Sequence, residues 1–104
     1  MQKIRRFSFA SAGRLIVDPK QGLRARSVCL RKNAVMDWHS TGKREELLLV
    51  ISGSFIVDAI HGADKVRRIN LGRGEGVFLP KDTQHRVMNR SPKAASYVYV
   101  TGRA

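Results

Sequence analysis

Residues 46–57 (Glu-Leu-Leu-Leu-Val-Ile-Ser-Gly-Ser-Phe-Ile-Val) limit the possible folds of this chain more than any other stretch. The run is too short to cross a bilayer as a helix, which takes about 20 apolar residues. Its β-branched and aromatic residues favour extended structure. Gly53 interrupts the apolar residues, and a glycine inside a strand typically marks a bend or the close approach of another backbone. We therefore predict two consecutive strands that bend at Gly53.

Short strand-like segments separated by turn residues fill the rest of the chain. Pro, Gly, Asn or Asp occurs in each of the predicted turns, at residues 19–22, 32–33, 61–64 and 91–93. The predicted strands between them cover residues 3–9, 15–18, 23–30, 35–41, 66–71, 77–79, 85–89 and 94–101. No segment keeps an amphipathic helical period over three turns. Residues 1–104 are therefore predicted to form one all-β domain, either a sandwich or a barrel.

Charge is the unusual feature of the composition. Twenty Lys and Arg against eight Asp and Glu give a formal net charge of +12. The basic residues are scattered, and no RNA-binding aromatic signature or zinc-finger spacing accompanies them. This pattern favours a solvated basic surface over association with nucleic acid. An anionic small ligand is a third interpretation, because thirteen of the twenty basic residues are Arg, which suits carboxylate and phosphate groups.

The cysteine content and the N-terminal sequence bear on the compartment. The single Cys29 cannot form an internal disulfide, which fits a reducing compartment. Its position in the strand-like run 27–30 predicts a buried, inert thiol rather than a nucleophile. Residues 7–14 are too polar for the apolar core of a secretory signal. We therefore expect a cytoplasmic protein with no membrane partner.

Polar residues lie before residues 46–57 and at the start of that run, at defined spacings. Asn33 is followed after five residues by His39, Thr41 lies two positions further on, and Glu46 and Gly53 follow after four and six residues. This spacing resembles the first motif of the cupin superfamily, Gly-x5-His-x-His-x(3,4)-Glu-x6-Gly. Asn33 stands where that motif has its first Gly, and Thr41 stands where it has its second His.

A second segment resembles the other cupin motif, Gly-x5-Pro-x-Gly-x2-His-x3-Asn. Gly74, Pro80, His85 and Asn89 fall at the fixed positions, and Asp82 stands where the motif has its inner Gly. Seven of the ten fixed positions of the two motifs are therefore matched. The resemblance implies a double-stranded β-helix, or jelly-roll barrel, that extends over nearly the whole chain. It implies less about activity, since this fold hosts many activities.

The resemblance also implies a metal site inside the barrel. Position by position, the chain keeps His39, Glu46 and His85 as ligands and has Thr41 in place of one His. Two imidazoles and a carboxylate suit iron, zinc, manganese or nickel, and the hydroxyl of Thr41 is a candidate to hold a metal-bound water. A barrel without metal, in which both imidazoles bond to Glu46 or to water, is equally compatible with the missing ligand.

Strand alternation adds further candidates for the pocket and its surroundings. Asp37 shares the face of His39, where an acid either orients the imidazole or is simply exposed. Trp38 is expected to point away from that face. Tyr97 and Tyr99 share one face of the last strand, as core, interface or pocket residues. The other residues expected in or around the pocket are Leu48, Val50, Phe78, Val87 and Asn89.

Two function classes follow from these residues. One is a metal-dependent enzyme acting on a small molecule, of the dioxygenase, isomerase or epimerase type. The other is a non-catalytic module that binds or senses a small, anionic ligand without metal. Association with nucleic acid through the basic surface is a weaker third class. No nucleophile, base and acid are arranged for covalent hydrolysis. A homodimer is expected, because a second copy covers exposed sheet edges.

Overall fold

The computed structural model describes residues 22–63 and 65–103, together with the backbone of residues 13–17. The described residues form nine strands and no helix that is long and apolar enough to cross a membrane. The strands are β1 (Gly13–Val17), β2 (Arg24–Leu30), β3 (Val35–Ser40), β4 (Arg44–Ser52), β5 (Phe55–His61), β6 (Arg67–Leu71), β7 (Gly76–Leu79), β8 (Thr83–Met88) and β9 (Ala95–Arg103).

The strands form two antiparallel sheets. The five-stranded sheet has the order β1-β2-β9-β4-β7, and the four-stranded sheet has the order β3-β8-β5-β6. Consecutive strands such as β3 and β4 lie in different sheets, so the chain crosses between them repeatedly. The predicted all-β double-sheet architecture is confirmed. The strand predicted over residues 3–9 and the end of the one predicted over 15–18 lie outside the described residues.

The core lies between the two sheets and follows the alternation of the strands. Leu48 and Val50 of β4 are 0% and 2% exposed, and Phe55 and Val57 of β5 are 1% and 0% exposed. The ring of Tyr97 from β9 packs edge-on against Phe55, with centroids 5.0 Å apart. Each such side chain contributes about 1.5–3 kcal/mol when fully buried. This core fixes which faces of β4, β5 and β9 point inward.

Gly53 lies at the bend that the sequence predicts between two strands. It has a φ of 75°, in the left-handed region. A Cβ atom at this position would lie 2.5 Å from the Cβ of Ala95, closer than two carbons can approach. The bend therefore requires glycine for two reasons, backbone conformation and the neighbouring strand.

Asn33 and Asp82 stand where the cupin motifs have Gly, and both adopt left-handed backbone. Their φ angles are 63° and 58°, a conformation that Asn and Asp tolerate better than most other residues. The amide of Asp82 donates a 2.8 Å hydrogen bond to the carbonyl of Gly42. At both positions the backbone therefore adopts a conformation that Gly also accepts.

The prediction for Cys29 was wrong, because the residue is exposed. Val28 and Leu30 are the buried residues at this end of β2, and Val28 is paired in register with Tyr97. Since successive side chains alternate between faces, Cys29 points to the other side of the sheet. Its apolar neighbours Val28 and Leu30 occupy the inward positions of the strand, so Cys29 lies at an outward position.

Candidate functional site

A cavity of about 350 Å³ opens between β3, at one edge of the four-stranded sheet, and the facing strands of the other sheet. Five strands contribute to it, and their inward-facing side chains form its wall. The residues that line the cavity are Arg26, Met36, Asp37, His39, Glu46, His85, Val87, Tyr97 and Tyr99.

The structure brings the three predicted metal ligands together at this cavity. His39 of β3 and His85 of β8 are register partners, and their ring centroids lie 4.1 Å apart. Glu46 projects from β4 in the opposite sheet, with its Oε2 atom 3.5 Å from Nε2 of His85. Both Glu46 and His85 are buried, at 7% and 1% exposure.

Backbone carbonyls fix the orientation of both imidazoles in the same way. Nδ1 of His39 lies 2.8 Å from the carbonyl oxygen of Asp37, and Nδ1 of His85 lies 3.2 Å from that of Thr83. Because a carbonyl can only accept a hydrogen bond, Nδ1 carries the proton in each ring. In a neutral imidazole the lone pair is then on Nε2, the nitrogen that in His85 lies beside Glu46.

Nε2 of His85 has no hydrogen-bond partner although it is buried. Buried polar atoms are bonded in the great majority of cases, so an orphaned one requires an explanation. The carboxylate of Glu46 lies 3.5 Å away. With a neutral imidazole both groups are acceptors, and a cation between them satisfies both; a proton on Nε2 satisfies them as an ion pair.

His39, the third predicted ligand, does not form a three-ligand group with Glu46 and His85. His39 is an exposed residue at the mouth of the cavity. Among residues 22–63 and 65–103, no group of three or more His, Cys, Asp or Glu side chains is arranged to hold a metal ion. The two buried groups thus form a fixed pair, and His39 is a separate group beside it.

Comparison with known sequences identifies the family. The sequence profile of the cupin domain matches residues 26–101, which include both motif segments and every residue of the cavity wall. The chain belongs to the cupin family. No curated protein is similar enough in sequence to match it.

Solved cupin structures have the same fold at low sequence identity. An RmlC-like cupin from Methanocaldococcus jannaschii has a TM-score of 0.75 at 14% identity, and the alignment covers 99% of this chain and 92% of that one. The cupin domain of Cnp3 from Schizosaccharomyces pombe has a TM-score of 0.77 at 12% identity, with coverages of 89% and 60%. Oxalate oxidase has a TM-score of 0.74 at 18% identity, with coverages of 79% and 42%. The chain thus spans about two thirds or less of the latter two proteins.

In this cupin the backbone carbonyl of Asp37, rather than its carboxylate, orients the imidazole of His39. The carboxylate accepts a 2.7 Å hydrogen bond from the amide of Trp38, and the carbonyl oxygen contacts His39 instead. Trp38 points to the outer face, as predicted, where the guanidinium of Arg86 lies 5.0 Å from its ring centre.

Thr41 and Phe78 lie outside the cavity of this cupin, contrary to their expected place in the pocket. The hydroxyl of Thr41 donates to the carbonyl of Pro80 at 2.8 Å and accepts from the amide of Thr83 at 3.0 Å. Both bonds join neighbouring loops, so the hydroxyl is occupied by the fold. Phe78 is 55% exposed, because its register partner on β4 is Leu47, on the outer face.

The remaining predicted pocket residues divide between cavity and core. Val87 lines the cavity, whereas Leu48 and Val50 share the inward face of Glu46 but are buried in the core. Asn89 is fully buried and makes structural bonds: its amide nitrogen donates to three backbone carbonyls, those of Leu30, Arg31 and Lys93.

Arg26 and Met36 were not assigned to the cavity wall from sequence, whereas Tyr97 and Tyr99 were left between core, interface and pocket; all four line the cavity. Arg26 shares a strand face with Val28, so alternation within β2 would have found it. Burial, and then the Glu46 carboxylate, raise the pKa of Tyr97 well above its ordinary value. The phenol is therefore protonated and can donate a hydrogen bond at neutral pH.

Proposed function

We propose that this cupin binds a divalent transition-metal ion through Glu46 and His85, with His39 as the third ligand. One observation supports the assignment above all: Nε2 of His85 is buried, lacks a partner and faces the Glu46 carboxylate at 3.5 Å. A metal ion gives the lone pair and the carboxylate a common partner. Two imidazoles and one carboxylate suit iron, manganese, nickel and zinc.

The residues around the ligands support this proposal. The carbonyls of Asp37 and Thr83 hold both rings in the tautomer that presents Nε2, and partners of this kind raise metal affinity by about 10–100-fold. A bound divalent ion supplies a Lewis acid that polarises a coordinated oxygen. Val87 and Met36 supply apolar wall that limits access of water to the buried pair.

We further propose a small organic anion as the second ligand of this cavity. Arg26 lies in the wall, the chain carries a net charge of +12, and the protonated phenol of Tyr97 is a donor. Guanidinium and phenol groups both suit a carboxylate. Oxalate oxidase, which shares the fold, has been solved in complex with glycolate, so oxalate and glycolate are suitable probes.

The primary test is calorimetric titration of the metal-free protein with Mn²⁺, Fe²⁺, Ni²⁺ and Zn²⁺. One ion is expected per chain, and His85→Ala or Glu46→Gln is expected to weaken metal binding by more than about a hundredfold. This is a larger loss than removal of a group that only hydrogen-bonds to a metal ligand would cause. His61→Ala is the matched control, since His61 does not line this cavity. Equal affinity in all four proteins would exclude the site.

A second candidate is binding of the anion without metal. The observation in its favour is that the described residues contain no preassembled set of three ligands. In this case Arg26 neutralises the anion and the phenol of Tyr97 donates a hydrogen bond to it. Titration with oxalate in the presence of a chelator separates the two candidates. Binding that survives the chelator and is lost in Arg26→Gln supports the metal-free module.

A further inference from the structure

A second and larger cavity, of about 670 Å³, lies on the other side of the barrel. It opens between β6 and β7, the edge strands of the two sheets. No described residue lines both this cavity and the one around His39. Its volume falls within the range of small-molecule sites, about 300–1,000 Å³.

Strand register explains how the two cavities are separated. Leu79 of β7 pairs with Glu46, and Ala59 of β5 pairs with His85. Leu79 and Ala59 line the second cavity, whereas their partners line the first. The Glu46–His85 pair therefore forms a partition, with a separate pocket on each side of it.

The floor of the second cavity is apolar. Ala59, Ile69, Val77 and Leu79 come from three strands and face the space between the sheets. Phe78, at an outward position of β7, also lines the cavity at its mouth and is 55% exposed. An apolar body placed here is removed from water on several sides, at about 25 cal/mol for each Å² of apolar surface buried.

The mouth of the cavity is cationic. Lys65, between β5 and β6, and Arg67, the first residue of β6, are both exposed and line it. Arg67 pairs in register with Ala59, so it shares the inward face of the sheet. No Asp or Glu is among the described lining residues. Among the described lining residues the one other titratable side chain is His61, whose Nδ1 lies 3.1 Å from the hydroxyl of Thr83.

We infer that this second cavity binds a small amphipathic organic acid, with the carboxylate at Lys65 and Arg67 and the apolar body against Ile69 and Val77. Two cations without a described acid select an anion, and an arginine fork suits a carboxylate. The apolar floor selects a molecule with an aromatic or aliphatic body. A small hydrophilic anion such as oxalate has no body to place there. The inference does not depend on metal in the first cavity.

The probe for this site is 4-phenylbutyrate, with 4-phenyl-1-butanol as its uncharged match. Saturable binding of the acid is expected, with amide NMR shifts concentrated on β6 and β7. The variant Lys65→Gln/Arg67→Gln is expected to weaken binding at least about tenfold, the effect of losing one charge-assisted hydrogen bond. The uncharged alcohol is expected to bind the wild type as weakly as the acid binds this variant.

Two variants serve as controls for charge and for location. Arg73→Gln removes a positive charge between β6 and β7 outside the cavity wall, and it is expected to leave binding within about twofold. His39→Ala alters the first cavity and is expected to leave binding of the acid to the second cavity unchanged. Absence of saturable binding at millimolar probe, equal weakening in Arg73→Gln, or shifts centred on Met36 and Tyr99 would each overturn the inference. Loss of metal binding in His39→Ala with the acid still bound separates this site from the proposed metal site.

Discussion

The backbone amide of Asn33 donates a 2.8 Å hydrogen bond to the carbonyl of Asn89, and the amide of Asn89 donates a 3.0 Å bond to the carbonyl of Ala34. These bonds join the turn that begins the first cupin motif to the residue that ends the second. Asn33 takes part with a φ of 63°. The two motifs are therefore fastened together by the backbone, independently of any ligand in the cavity.

The side chain of Asn89 is expected to be a major determinant of stability. Its amide nitrogen donates to the carbonyls of Leu30, Arg31 and Lys93 at 2.9, 3.2 and 2.8 Å. Asn89→Ala leaves these buried acceptors short of a donor, so the free energy of unfolding is expected to fall by about 2–3 kcal/mol. Urea denaturation measures it, with the exposed Asn70→Ala as control. Equal midpoints for the two variants would contradict this role.

Gly53 and Gly62 separate backbone strain from steric overlap. Both have left-handed φ angles, 75° and 63°, but only at Gly53 would a Cβ meet another atom within 4 Å, the side chain of Ala95. Gly62→Ala is expected to cost about 1 kcal/mol for the backbone alone, and Gly53→Ala about 2–4 kcal/mol. Thermal unfolding gives both values. Equal losses would mean that β9 does not restrict the bend.

Asp58 is expected to make stability depend on acid pH. The hydrogen bond from Arg68, assisted by Arg86, lowers the pKa of Asp58 from 3.8 to about 2. Since the folded protein binds this proton less readily than the unfolded chain, the contribution is fully present above about pH 4 and is lost as the pH falls through 2. Asp58 is expected to contribute about 1–2 kcal/mol to the free energy of unfolding, which is less than its pKa shift alone implies because the Arg68 side chain is exposed to solvent.

The check is the difference in unfolding free energy between wild type and Asp58→Asn, measured from pH 6 to pH 2. This difference is expected to shrink over the lower half of that range, because protonation removes the ion pairs that the variant already lacks. A difference that stays constant down to pH 2 would show that the two arginines do not act on the carboxyl group.

Thr41 is expected to serve the fold rather than a metal. Its hydroxyl joins Pro80 to Thr83, so Thr41→Val should lower the free energy of unfolding by about 1–2 kcal/mol. Metal affinity should stay within about twofold, since the hydroxyl does not line the cavity. Thr41→Ser is the matched control and should restore stability. Loss of metal binding in a stably folded Thr41→Val variant would show that the hydroxyl contributes to the metal site.

The fold and the convergence of His39, Glu46 and His85 were predictable because both depend on spacing. Strand alternation decides which side chains face inward, and the distance between the motifs decides which strands meet. Asn33 and Asp82 adopt a left-handed backbone that Gly also accepts.

The roles of individual polar groups could not be read in the same way. The hydroxyl of Thr41 is engaged by backbone groups of Pro80 and Thr83, and the carboxylate of Asp37 by the amide of the next residue, Trp38. Sequence does not show where those groups point. Arg26 was missed although alternation with Val28 places it on the inward face, because arginine is usually a surface residue. Phe78 was misplaced because β7 is short and its alternation gives little signal.

Anomalous diffraction shows whether a metal ion occupies the space between Glu46 and His85, using crystals soaked in Mn²⁺ or Ni²⁺ and data collected on both sides of the absorption edge. One peak per chain is expected within bonding distance of His85 Nε2 and a Glu46 oxygen, and no peak there in Glu46→Gln. A peak elsewhere, or none in the wild type at saturating metal, would contradict the proposed metal site.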